Sequence, residues 1–216
     1  MLDSAHPPAV TDLAAARIRD DIVEGLLPPG RQLVEAELVE RLGVSRNTLR
    51  EAFRQLCREG LAEHHRHRGV TVRQVTAGDV REFFAVRRLL EPQAVAGAPC
   101  PMPPAVLAAM RACVDDAAAA AERREWRAVG THSLRFHGHI VRLAGSPQLD
   151  GFFATILAQL RLTFAVHPDE GAFQAPWIAR DRTILDRIAA DDRAGAAAAL
   201  HRYLDDSEAA LLDRFP

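Results

Sequence analysis

The sequence predicts a mainly α-helical protein in two parts: an N-terminal head of three helices with a two-stranded hairpin, then an all-helical antiparallel bundle. Three observations predict it. Apolar residues recur at helical spacing through most of the 216 residues. Two short strand-like runs, 61–64 and 70–73, flank a glycine-containing turn, and no useful strand alternation follows Val72. Charge changes sign between neighbouring segments: residues 1–40 hold three arginines and eight acids, residues 41–75 eight arginines and three acids.

After a tail ending at Pro7-Pro8, Leu13, Ala16, Ile18, Ile22 and Leu26 mark a helix over 11–25 with Thr11 as N-cap, stopped by Leu27-Pro28-Pro29-Gly30. Leu38 and Leu42 share a face of a second helix, 35–42, and Gly43 suits its left-handed C-cap. Ser45 caps a third, 45–59, whose Leu49, Phe53 and Leu56 face a core and which Gly60 ends. Two short helices around Gly43-Val44-Ser45 make a helix-turn-helix, and the hairpin after it is a wing. The head therefore closes at about residue 75, and residues 76–216 form the bundle.

Thr76 and Asp79 are spaced as a capping box opening a helix to about Ala96, which the proline cluster at 99–104 terminates. Helical period continues over 105–120, 122–128, 131–144, 148–166, 176–190 and 193–213. Cys57, Cys100 and Cys113 lack paired spacing, which fits free thiols in a reducing cytoplasm. Neither a secretory signal nor an 18-residue apolar run is present, so a soluble, cytoplasmic chain without a membrane partner is expected.

A recognition helix meets base edges with its first two turns, here Ser45-Arg46-Asn47-Thr48-Leu49-Arg50. Arg46 and Arg50 share a face and each offers a guanidinium fork to guanine or phosphate. Ser45, Asn47 and Thr48 add short polar groups for double-stranded DNA, while Leu49 points to the core. The wing turn Arg66-His67-Arg68-Gly69 suits a contact with backbone or minor groove; the plainer alternative is a solvated hairpin carrying surface arginines. All 27 basic residues other than histidine are arginine, which a GC-rich coding bias explains as well as base recognition does.

Residues Gly25-Leu26-Leu27-Pro28-Pro29-Gly30, Leu42-Gly43-Val44-Ser45-Arg46, Leu49-Arg50-Glu51-Ala52 and Glu59-Gly60-Leu61, with Arg68-Gly69, resemble the GntR family of bacterial regulators. The resemblance implies operator contacts by Arg46, Thr48 and Arg50 and a wing tip at Gly69. Where many relatives carry a contacting arginine this chain has Ala36, so its base preference is expected to differ. Arg87-Arg88-Leu89-Leu90-Glu91, Arg135-Phe136-His137 and Leu143-Ala144-Gly145-Ser146 are similar to the FCD effector domain of the FadR-like branch.

That second resemblance implies a small organic acid effector, often beside a metal. The implied metal positions are Ser133, His137, Asp181 and Tyr203, a set short of nitrogen donors. No metal or certain cofactor is therefore expected; a divalent ion, if bound, would use His137 and Asp181. A carboxylate effector is expected at Arg87, helped by Ser133, His137, Asp181 and Tyr203, although Arg87 is also spaced for a salt bridge to Glu91 one turn on.

The function expected is a ligand-responsive regulator: a homodimer on a palindromic operator, acting as a repressor that the acid releases. One alternative is a DNA binder whose bundle only dimerises, which a fully packed bundle core would favour. A metal-dependent hydrolase around Thr131-His132 to His139 is the other, and no zinc-protease, nucleophile-elbow or phosphate-loop motif supports it. An enzyme is not expected.

Overall fold

A computed structural model describes residues 9–164 and 169–215. The tail ending at Pro7-Pro8 and the last two positions of the helix expected over 148–166 lie outside the described residues. In the head, α1 (Val10–Val23), α2 (Glu35–Leu42) and α3 (Arg46–Arg58) precede the strands β1 (Ala62–His65) and β2 (Gly69–Val72). The bundle comprises α4 (Ala77–Ala96), α5 (Pro104–Glu122), α6 (Trp126–Arg142), α7 (Pro147–Phe164), α8 (Glu170–Ala189) and α9 (Arg193–Leu212).

The local signals of the head operate as their chemistry requires. Ser45 Oγ accepts from Thr48 N at 3.1 Å and caps α3. Gly43 ends α2 at φ 65°, a conformation that costs a residue with a Cβ. Ile18 and Ile22 of α1 and Leu49, Phe53 and Leu56 of α3 are buried in one core, and Arg19 forks onto Glu59 across the helix pair. The strands pair antiparallel from Ala62 opposite Val72 to His65 opposite Gly69, each one residue nearer the turn than the expected spans. Gln32 forms a bridge to Thr71 and donates through its side-chain amide to Arg68 O, so the chain before α2 braces the wing.

In the bundle, α6 lies at the centre and packs on α4, α5, α7 and α8, with Phe136 and Ile140 fully buried. Burying one such side chain contributes about 1.5–3 kcal/mol. Thr76 and Asp79 form the capping box at the start of α4.

Three expectations are corrected. Ala9 rather than Thr11 occupies the N-cap of α1, so that helix has no side-chain cap. The helices expected at 122–128 and 131–144 are one, α6; Gly130 is buried within it, where an added Cβ would lie 2.7 Å from Gln174 Nε2 and 3.1 Å from Phe164. That glycine permits close packing rather than a break. Finally, α8 begins at Glu170 under an Asp169 cap, and Pro176 sits inside the helix instead of opening it.

Head and bundle are joined through side chains on α6 and α7. The last carbonyl of α1, Val23 O, accepts from Thr131 Oγ1 at 3.0 Å and Arg161 Nε at 3.2 Å, partners that replace its missing helical hydrogen bond. Gln159 reaches Glu59 O at 2.6 Å. Arg161 is buried, pairs with Glu170 and lies over the Phe164 ring. Burial pulls its pKa down, and Glu170 opposes that pull.

Candidate functional site

Two regions have the makings of a site. The first is the exposed face of α3 with the wing. Ser45, Arg46, Asn47 and Arg50 are exposed there, and Thr48 is partly so with its hydroxyl 2.9 Å from Ser45 Oγ. Arg66, His67, Arg68 and Gly69 form the exposed turn of the wing. His67 as well as Gly69 takes a positive φ, 70° and 73°. Ala36 is exposed at the start of α2.

Sequence reasoning missed one contact here. Arg50 donates from Nε and Nη2 to the Glu35 carboxylate at 3.1–3.3 Å, and this hydrogen bond and charge raise its pKa. A groove of about 800 Å³ lies between α3 and the wing, with Arg50, Arg54, Arg58 and His64 on its walls and Phe53 and Val70 beneath.

The second region lies inside the bundle. Arg87 and Glu91 on α4, Ser133 and His137 on α6, Asp181 on α8 and Tyr203 on α9 are all buried. Glu91 accepts from Arg87 Nε and lies against His137 Nδ1, each at 2.6 Å. Across the imidazole, Asp181 stands 3.4 Å from His137 Nε2, near enough for an ion pair although neither atom has a well-directed hydrogen bond. Ser133 Oγ and Tyr203 OH are 3.4 Å apart.

Burial alone would lower the His137 pKa, but the carboxylate of Glu91, with help from Asp181, outweighs it and holds the ring above its ordinary 6.5. Burial pushes Glu91 upward, yet Arg87 and His137 together bring it below its ordinary 4.5. Tyr203 is raised well above 10 by burial and then by Asp181, so its phenol stays neutral. The cluster thus sets Glu91 between Arg87 and His137, with Asp181 at the other ring nitrogen.

These residues do not fit a metal. His137 and Asp181 offer only one imidazole nitrogen and one carboxylate, the phenol is neutral, and Ser133 is paired with it, which leaves too few ligands. No group of three His, Cys, Asp or Glu suited to a metal occurs among the described residues. Of the five positions expected to meet an acid, Arg87, Ser133, His137 and Tyr203 line one cavity of about 20 Å³. Asp181 is not among the residues that line it; its carboxylate stands 3.4 Å from His137 Nε2.

Three residues on the cavity wall carry buried polar atoms without a hydrogen-bond partner and were not legible as site residues: Gln174 (Nε2), Trp177 (Nε1) and Ser207 (Oγ). Arg87 Nη2 and His137 Nε2 are likewise unpartnered on that wall. Unpaired buried polar atoms are rare in native proteins, and five around one cavity are the sharpest feature of the bundle.

A winged helix-turn-helix with an arginine-bearing recognition helix, followed by a helical bundle, defines a DNA-binding transcriptional regulator. The comparisons agree. The model of the bacterial regulatory proteins of the gntR family matches residues 11–72, and the FCD domain model matches residues 82–206. The chain belongs to the GntR family and carries an FCD domain.

The crystal structure of a GntR transcriptional regulator from Rhodococcus sp. RHA1 is 33% identical, with a TM-score of 0.87 over 97% of this chain and 100% of that one. Escherichia coli McbR/YncC shares the fold, with a TM-score of 0.83 at 20% identity over 96% of this chain and 99% of that one. The transcriptional repressor RspR of Escherichia coli K12 is 38% identical over 74 residues, 34% of this chain and 32% of that protein. Three curated relatives are spanned over only 42%, 35% and 32% of their length. No helix among the described residues is long and apolar enough to cross a membrane.

Proposed function

We propose that this regulator is a cytoplasmic repressor, acting as a homodimer on a palindromic operator and leaving it when a small organic acid enters the bundle. The observation that carries the reading is the position of α7. Its Leu160 and Phe164 line the cavity, while its Gln159 and Arg161 hold backbone carbonyls of the head. A ligand that displaces Phe164 also disturbs Arg161, which rests on the same ring and grips the end of α1. Effector binding would then favour a bundle arrangement that changes how the two heads of a dimer are spaced.

On DNA, Arg46 and Arg50 offer their forks to guanine edges or phosphates, with Ser45, Asn47 and Thr48 reaching phosphates or bases and the wing turn 66–69 at the backbone or the minor groove. Arg50 must exchange Glu35 for DNA to do so. A second reading has one observation in its favour: a 20 Å³ cavity is almost a packed core, as expected of a bundle that only dimerises. The five unpartnered polar atoms weigh against it.

Selection of bound duplexes from random DNA, followed by anisotropy titrations with carboxylic acids, tests the proposal. Acid-dependent loss of affinity for a palindrome supports it. Affinity indifferent to every acid, with a dimer unchanged in sedimentation, favours the second reading.

A further inference from the structure

We propose that the bundle cavity takes a small monocarboxylate with a flat apolar body, held without a metal by Arg87, Gln174, Trp177 and Ser207. This deepens the reading that the bundle binds an acid and rests on it. The polarity of the wall supplies the first argument. No carboxylate lines the cavity: Glu91 is taken up by Arg87 Nε and His137 Nδ1, and Asp181 stands 3.4 Å from His137 Nε2. Among the residues that line it, Arg87 Nη2, Gln174 Nε2 and Trp177 Nε1, which only donate, and Ser207 Oγ, which can, are buried without a hydrogen-bond partner. A donor-rich, acceptor-poor wall is complementary to an anion.

The supply of donors sets the number of acid groups. Arg87 gives its Nε to Glu91 and keeps Nη2 unpartnered, so one guanidinium edge and neutral donors are present for one carboxylate. A second carboxylate would be buried against Phe84, Phe164 and Phe173 with no partner, at a cost its binding could not recover. Those rings, with Leu134 and Leu160, instead suit a planar or branched apolar body. Hydroxy acids that chelate a metal lose their anchor, because the residues present do not fit one.

Volume adds a kinetic signature. A cavity of about 20 Å³ holds a water molecule at most, so the acid enters only as the aromatic wall parts. Association should therefore be slower than for a preformed pocket.

The test titrates the full-length protein calorimetrically with benzoate, phenylacetate and isovalerate in EDTA, and with citrate and gluconate with and without zinc. Operator release is followed by anisotropy in the same mixtures. At least one monocarboxylate is expected to bind in EDTA, and its affinity to fall about tenfold or more in the Gln174→Met/Ser207→Ala double variant. Both substitutions remove a buried polar atom that has no partner, so the variant is expected to melt at or above the parent temperature.

Binding undiminished in the double variant overturns the proposal, as does no binding by the three monocarboxylates. Binding confined to citrate or gluconate with zinc does so too. Operator release by those metal-bound acids would overturn the ligand class and leave ligand control standing. Monocarboxylate binding that leaves operator affinity untouched would support the site and remove ligand control.

Discussion

Replacing Glu91 by glutamine removes one charge from a cluster of four while keeping its shape. The side chain is fully buried and serves two partners at 2.6 Å, Arg87 Nε and His137 Nδ1. Breaking a buried ion pair from one side costs about 3–5 kcal/mol, because the remaining charge stays desolvated. Glutamine keeps one acceptor, which places the expected loss near the lower bound, about 3 kcal/mol. For a chain of this size that lowers Tm by about 6–12 °C.

Both tryptophans, Trp126 on α6 and Trp177 on α8, belong to the bundle, so urea unfolding followed by their fluorescence isolates the domain concerned. The midpoint should fall by about 1 M or more. Replacing Arg87 and Glu91 together by methionine should recover much of the loss, since no lone charge remains. A Glu91→Gln variant within about 0.5 kcal/mol of the parent, or a double variant worse than the single one, would refute the reasoning.

The same pair predicts a pH profile for the parent. Because the folded pKa of His137 is raised, its contribution is complete below its ordinary 6.5 and is lost as pH rises through the raised value. Because that of Glu91 is lowered, its contribution is complete above its ordinary 4.5 and is lost as pH falls through the lowered value. The stabilisation contributed by this pair should therefore be greatest between about 4.5 and 6.5. The alkaline decline should shrink in Glu91→Gln, and a profile identical to the parent's would count against it.

In operator titrations, Arg46→Ala should weaken binding by about tenfold or more and relax preference at one base position. Arg66→Ala should weaken all sequences alike and reduce the salt slope by about one; equal behaviour of the two variants would show that the assignment of base and backbone contacts is wrong. Glu35→Gln should release Arg50 and raise affinity for random duplex, measured at fixed salt; unchanged or weaker non-specific binding would mean the carboxylate does not restrain that arginine. Arg161→Met should reduce the coupling between acid and operator by about 0.5–2 kcal/mol, and undiminished acid-induced release would exclude α7 as the connection.

Local chemistry made most of the fold legible. Ser45, Gly43 and the Thr76-Asp79 box lie next to the groups they satisfy, so short sequence windows contain both partners. Errors arose where a residue's role depended on distant neighbours. Gly130 reads as a break until Gln174 and Phe164 pack against it, and Pro176 reads as a helix start until Asp169 caps the helix earlier. The site divides in the same way. The recognition helix presents contiguous residues, whereas the cavity gathers polar atoms from α4, α6, α8 and α9, and periodicity says nothing about which lack partners. Arg87 was legible with two possible partners, and the structure assigns it Glu91 through Nε while leaving Nη2 unpartnered.

The grip of Thr131 and Arg161 on the Val23 carbonyl bears on how far the head is portable. Fused to an unrelated bundle, the first 75 residues would carry α1 with that carbonyl facing solvent and no lever on the recognition helix. Such a chimera should still find the operator while responding weakly to the new bundle's ligand. A recipient bearing an arginine and a threonine at the two corresponding places should respond strongly.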